Sequence, residues 1–213
     1  MSVHRTEALT LRTYPFAEAH KIVVFLTRNF GKVRAVAHGA QKGTGRFGSS
    51  FELLTQLDLT YSWKETQDLA VVKNCEIVRA FSSQHLTWEK SLYFSYFSEL
   101  LNEFSREGEE SHTLFRLSLA VLEAAPETTL DLLARYFELW LLKLEGVLPK
   151  LDEKLPAELS ARTRQLMRLH PAQLAQLEFL PEECKRIERV CIQLIEYHLE
   201  KHLKTRKFLK ELL

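Results

Sequence analysis

Leu54-Thr-Gln-Leu-Asp-Leu-Thr-Tyr-Ser-Trp63 is the stretch that decides the fold class. Within it Leu57, Leu59, Tyr61 and Trp63 alternate with Asp58, Thr60 and Ser62, the period of two that gives a strand one apolar and one polar face. Reading outward, similar runs precede it at Glu7 to Thr13, Lys21 to Arg28 and Lys32 to Ala40, and one follows at Leu69 to Phe81. Turn-forming residues separate them: Asn29-Phe30-Gly31, then Gly39 to Gly48, then Lys64 to Asp68. Five short strands with no helix long enough for a parallel crossover predict a small closed barrel of the OB type.

From residue 84 the apolar period lengthens to that of helices. Leu86, Leu92, Tyr93, Tyr96, Phe97, Leu100, Leu101 and Phe104 recur mostly at intervals of three and four and form one wide stripe. A second helix is predicted from Leu114 to Leu122, with Ser111 as a candidate cap and Pro126 beyond its end. A third runs from near Thr128 to Gly146, a suitable residue just past a helix end. Residues 160–169, 171–178 and 181–203 complete the set. The expected class is therefore α+β, with a five-stranded OB-type barrel over residues 1–80 and an all-helical domain over 81–213.

The chain has 213 residues, 46% hydrophobic and 27% charged, which is the range of ordinary globular proteins. A formal net charge of +1 conceals an uneven distribution. Residues 1–50 hold Arg5, Arg12, Lys21, Arg28, Lys32, Arg34, Lys42 and Arg46 against only Glu7 and Glu18, so the remainder is acidic. A polyanion would meet the N-terminal part first. No signal-like apolar run opens the sequence, and no apolar stretch approaches a membrane span, so a cytoplasmic protein without a membrane partner is expected. Cys75, Cys184 and Cys191 show no C-x-x-C spacing, which argues against a disulfide framework and a zinc site. Cys184 and Cys191 lie seven apart on one helical face, as small core residues do.

Single-stranded nucleic acid requires cations for phosphates and ring faces on which bases stack, with no catalytic constellation. Lys21, Arg28, Lys32, Arg34, Lys42 and Arg46 fall on two strands and the following loop, and Phe30 and Phe47 are aromatic residues at turns. Either these form a binding trough, or the charges are a solvated face and Phe47 anchors the loop in the core. Gly43-Thr-Gly-Arg-Phe-Gly48 matches G-x-G-x-x-G in letters, yet a dinucleotide fingerprint must open a helix, and a strand-like run follows here. There is no P-loop and no H-E-x-x-H, and no histidine pairs with a nearby cysteine as a nucleophile. His198 and His202, one turn apart, lack a third ligand. These absences predict a binding protein that is not an enzyme and takes no cofactor.

Several short motifs, in order, resemble the RecO family of bacterial recombination mediators. They are Glu7-Ala-Leu-Thr-Leu-Arg12, Tyr14-Pro15 with Glu18, Lys21-Ile-Val23, Leu26-Thr-Arg28, Gly31 to Ala37, Gly39, Arg46-Phe-Gly48, Glu196-Tyr-His-Leu199 and Leu203 to Leu209. The resemblance implies binding of single-stranded DNA, partnership with RecR and with the acidic C-terminal tail of the single-stranded-DNA-binding protein, loading of RecA, and strand annealing. Many members carry a cysteine-bearing zinc module after the third large helix. Here Gly146 to Pro156 passes directly into the next helical segment, so no zinc is expected.

An acidic, apolar peptide tail needs an apolar groove rimmed by Arg or Lys. Arg116 and Arg135 are isolated cations on otherwise apolar helices and are the candidates for that rim; helix-surface ion pairs are the alternative. Lys204, Arg206, Lys207 and Lys210 either extend the DNA path or offset the acidic middle.

Overall fold

The computed structural model describes residues 1–41, 47–64, 66–81 and 87–212. Five strands form among them: β1 (Ser2–Phe16), β2 (His20–Thr27), β3 (Gly31–Ala37), β4 (Thr55–Trp63) and β5 (Ala70–Ala80). They close into a barrel in the order β1-β2-β3-β5-β4. Closure depends on β1, which serves two neighbours. Its first half pairs with β4, setting His4 opposite Tyr61 and Ala8 opposite Leu57, and its second half pairs with β2, from Ala8 opposite Thr27 to Phe16 opposite His20. A register shift between Thr10 and Arg12 lets the strand bend from one partner to the other. The carbonyl of Leu11, at that irregularity, accepts a hydrogen bond from the Ser98 hydroxyl at 2.6 Å, so the distortion leaves no orphaned buried acceptor.

Alternation sends Ala8, Val23, Phe25, Ala35, Ala37, Leu57, Leu59, Tyr61 and Val72 into the barrel. One end is filled by Phe47 and Phe51, whose rings lie 5.2 Å apart, with Phe51 also edge-on to Phe25. Residues 47–54 are turns, not the strand-like run that the sequence suggested, and β4 follows them directly. No helix opens after Gly48, so the glycine pattern is no dinucleotide fingerprint.

α1 (Trp88–Phe104) begins where the Thr87 side chain accepts from the Lys90 amide, and it packs on β1 and β2. Its continuation, residues 105–111, crosses the β2–β3 turn. The Lys32 amide donates to the Arg106 carbonyl at 2.8 Å, and Gly31 and Lys32 bridge to Glu107. Gly31 has φ +62, and a Cβ there would lie 2.2 Å from the Arg106 carbonyl oxygen. Only glycine permits both the left-handed turn and this approach. Ser111 stands just before α2 (His112–Ala124), where its carbonyl accepts from the Phe115 amide at 2.8 Å, and its hydroxyl donates to the Thr27 carbonyl at 2.7 Å.

The chain divides into two compact units, Met1–Phe115 and Arg116–Leu212. The second is helical: α3 (Leu130–Leu144), α4 (Ala157–Leu166), α5 (Pro181–Leu199) and α6 (Lys204–Leu212), with short 3-10 turns at Leu151–Glu153 and Pro171–Gln176. The helix expected over 181–203 ends at Leu199, where Glu200 adopts φ 53, and α6 lies beyond the expected range. Cys184, Ile187, Cys191 and Ile195 form the buried stripe of α5, which packs against α3.

Candidate nucleic-acid interface

Each described cation of the expected trough can now be placed. Lys21, half-buried, is the second residue of β2 and lies opposite Ala37, whereas Arg28 lies just past the other end of that strand. At ~3.3 Å per residue the two are roughly 20 Å apart. Arg28 is exposed and pairs with Glu7 at 2.7 Å. Lys32 and Arg34 share one face of β3. Lys32 Nζ donates to the Asn102 carbonyl at 2.7 Å, near the C-terminal end of α1, and Arg34 Nε donates to Glu107 Oε1 at 2.8 Å. Arg12, on the same side, lies 4.0 Å from Glu99 and 3.9 Å from Glu103. Lys42 and Arg46 lie outside the described residues.

The expectation of one open trough is corrected by this arrangement. Lys32 and Arg34 serve first to hold residues 102–107 on the barrel, because a cation beside a helix C-terminus or an acidic side chain gains from neutralising it. Phe47 is also corrected: it is 5% exposed and belongs to the barrel core, so its ring offers no face to a base. The apolar end of the barrel needs a plug, and that demand outweighs any surface role.

The exposed aromatics lie elsewhere. Tyr14 and Phe16 are 44% and 42% exposed at the end of β1, beside the β1–β2 turn, and Trp63 is 41% exposed at the end of β4, beside the β4–β5 loop. Those two loops are where OB-type barrels grip extended ligands. Sequence reasoning took Trp63 as one more residue of a half-buried strand and Tyr14 as part of a turn. The available signal was position: each closes a strand, where the alternating inward side runs out of barrel.

In the helical unit Arg116 is exposed on α2, while Arg135 is not a rim cation. Its side chain is 4% exposed and meets Glu138 at 2.7 Å, Asp131 at 3.5 Å and Glu188 at 3.5 Å. Glu138 is fully buried, and an enclosed carboxylate needs a cation at hydrogen-bonding distance. A hollow of about 450 Å³ in the same unit is lined by Leu148, Pro149, Leu151 and Met167 and rimmed by Lys143, Lys150, Arg168 and Arg164, the last paired with Asp152 of the same rim at 2.8 Å. No helix among the described residues is long and apolar enough to cross a membrane, and no cluster of metal-ligating side chains occurs among them.

A closed five-stranded barrel in this strand order, carrying aromatic residues at both ligand loops, defines an OB-type domain, here joined to a helical unit. Sequence models described as "Recombination protein O N terminal" and "Recombination protein O C terminal" match residues 1–81 and 85–155. The chain belongs to the RecO family of DNA repair proteins. The "DNA repair protein RecO" of Koribacter versatilis is 30% identical over 240 aligned positions, covering 98% of both chains. That alignment is longer than the 213 residues here, so the relative has segments without a counterpart. The protein of the same name from Syntrophus aciditrophicus is 35% identical over 71% of this chain and 59% of its own length. That from Halalkalibacterium halodurans is 22% identical over 98% and 95%.

Proposed function

We propose that this DNA repair protein acts by binding and not by catalysis, holding single-stranded DNA on the barrel of residues 1–80 while residues 81–213 receive protein partners. The observation that carries the reading is the exposure of Tyr14 and Phe16 at one ligand loop and Trp63 at the other, on an OB-type barrel of this family. Stacking on such rings contributes about 1–3 kcal/mol per base and needs no particular sequence. Lys21 stands at the Tyr14 and Phe16 end, and Arg28, Lys32, Arg34, Lys42 and Arg46 supply the remaining positive field. Because Arg28 and Arg34 already face carboxylates, a phosphate must compete for them, and each adds less to the salt dependence of binding than an unpaired cation would.

The family's mediator roles are proposed with it: association with RecR, loading of RecA, annealing, and capture of the acidic tail of the single-stranded-DNA-binding protein, all in the bacterial cytoplasm. For that tail, the hollow rimmed by Lys143, Lys150 and Arg168 fits better than Arg135, since acidic residues need exposed cations beside an apolar floor. Arg116 stays a candidate for a second contact.

Fluorescence anisotropy of labelled single-stranded oligonucleotides at low and high salt tests the reading. Affinity should fall with salt at a logarithmic slope of about −0.7 per neutralised phosphate. Capture of the acidic tail or of RecR with no DNA binding at any salt would favour an interaction adaptor instead.

A further inference from the structure

The barrel end opposite Phe47 and Phe51 holds a cavity of about 200 Å³. His4, Phe30 and Tyr61 form its wall. The His4 ring lies over Tyr61 with centroids 5.3 Å apart and planes 28° apart, and Phe30 meets both edge-on. Trp63 stands at the opening, its indole N–H donated to the Gln67 carbonyl at 3.2 Å, so the β4–β5 loop fixes the ring's orientation. The rim carries charge of both signs: Lys32 and Arg34 on β3, Asp68 and Glu107 on the flanking loops.

Size, lining and rim each select the occupant. The volume is below the ~300–1,000 Å³ of sites for drug-sized ligands, so it suits one ring system. Aromatic walls favour a flat π-faced guest. The two cations and two carboxylates of the rim cancel, so the mouth has no net charge to select a phosphate, whereas a neutral ring with donors and acceptors on its edge finds partners for both signs. An aromatic side chain of a protein would leave those polar groups unanswered.

We propose that the barrel mouth takes one unstacked base of a single strand, with Trp63 as its stacking platform and Asp68 accepting from an exocyclic amine. The proposal rests on the single-strand reading above and gives it a specific point of base entry. The backbone then runs outside the mouth, and adjoining bases are left to Tyr14, Phe16 or solvent.

The test uses the full chain with Trp63→Ala and Trp63→Phe, an oligothymidylate of about twenty nucleotides and an abasic polymer of the same length. Trp63→Ala should weaken oligothymidylate binding at least about fivefold, Trp63→Phe should retain most of it, and abasic binding should be unmoved by either. Asp68→Asn, an exposed change remote from the core, should lower the affinity for oligocytidylate relative to oligothymidylate. If the natural chain binds oligothymidylate and Trp63→Ala binds it equally well, the mouth is no base site, though single-strand binding survives. If the natural chain binds neither polymer at low salt, the single-strand reading itself fails and the proposal falls with it. Tryptophan quenching by an acetylated phenylalanine amide but not by thymidine, lost in Trp63→Phe, would assign the mouth to a protein side chain and overturn the proposal.

Discussion

Arg34 on β3 donates through Nε to Glu107 Oε1 at 2.8 Å, so a cation proposed to meet DNA is held by an acidic residue seventy-three positions later. Both side chains are about half exposed, and the pair is therefore weak enough for a phosphate to displace. Glu107→Gln should release Arg34 and tighten single-stranded DNA binding at low salt, with the salt slope steeper by about 0.7. Arg34→Glu should weaken it and flatten the slope. Anisotropy across a salt series measures both, and equal slopes in all three proteins would exclude Arg34 from the DNA path.

Among the described glycines, Gly31 is the one least able to change. A methyl group there meets the carbonyls of Arg106 and Glu109 and forces a side chain into φ +62. Gly31→Ala should cost about 2 kcal/mol or more, read as a lower urea midpoint, because backbone on both sides must shift. Gly39→Ala shares the positive φ but meets no atom within 4 Å, so it should cost less. Equal losses would mean that crowding at Gly31 is unimportant.

Arg135 and Glu138 form a buried pair whose partners depend on one another. Removing the cation alone, as Arg135→Met, leaves a charge in the core and should cost about 3–5 kcal/mol. The double change Arg135→Met with Glu138→Leu should recover most of it. Thermal or urea unfolding of the four proteins gives the coupling, and simple additivity would show that the pair is not the source of the loss.

Acid and alkali should act on different groups. Asp58 is held below the ordinary carboxylate range, first by the hydrogen bond from Arg5 and further by its charge. A depressed folded value means stability that is present above about pH 4 and lost as pH falls through the lower folded value. Asp58→Asn should flatten the acid limb slightly, since Arg5 is mostly exposed. Burial pushes the Tyr61 phenol up to about 12. A raised folded value gives stability that is full below about pH 10 and lost as pH rises towards 12. Tyr61→Phe should remove one late step from the tyrosinate absorbance titration; an unchanged trace would contradict the burial.

Cysteine labelling probes the core directly. Cys184 is pushed up to about 12 and Cys191 well above the usual thiol range, both by burial, while Cys75 is half-buried in β5. Thiol reagent at neutral pH should label Cys75 first and the other two at the rate of unfolding. Simultaneous labelling of all three in the native state would mean that the α5 stripe is open.

The alternation from Leu57 to Trp63 and the change of period near residue 84 were sufficient to reach the barrel and the helices, because local periodicity records which side of an element meets the core. Helix ends were less legible: Glu200 ends α5 through a left-handed backbone that its residue type does not announce. The charge excess before residue 50 was also plain in the sequence. Which of those charges remain available was not, since Lys32 meets Asn102 and Arg34 meets Glu107 only after the chain has folded back on itself. Phe47 and Trp63 show the same division. Both are large aromatic residues near turns, yet Phe47 closes one end of the barrel and Trp63 stands at the other, a distinction set by which inward positions the closed sheet can still fill. Composition and period thus determined the elements and the sign of the surface, and tertiary closure alone decided which side chains are left over for a ligand.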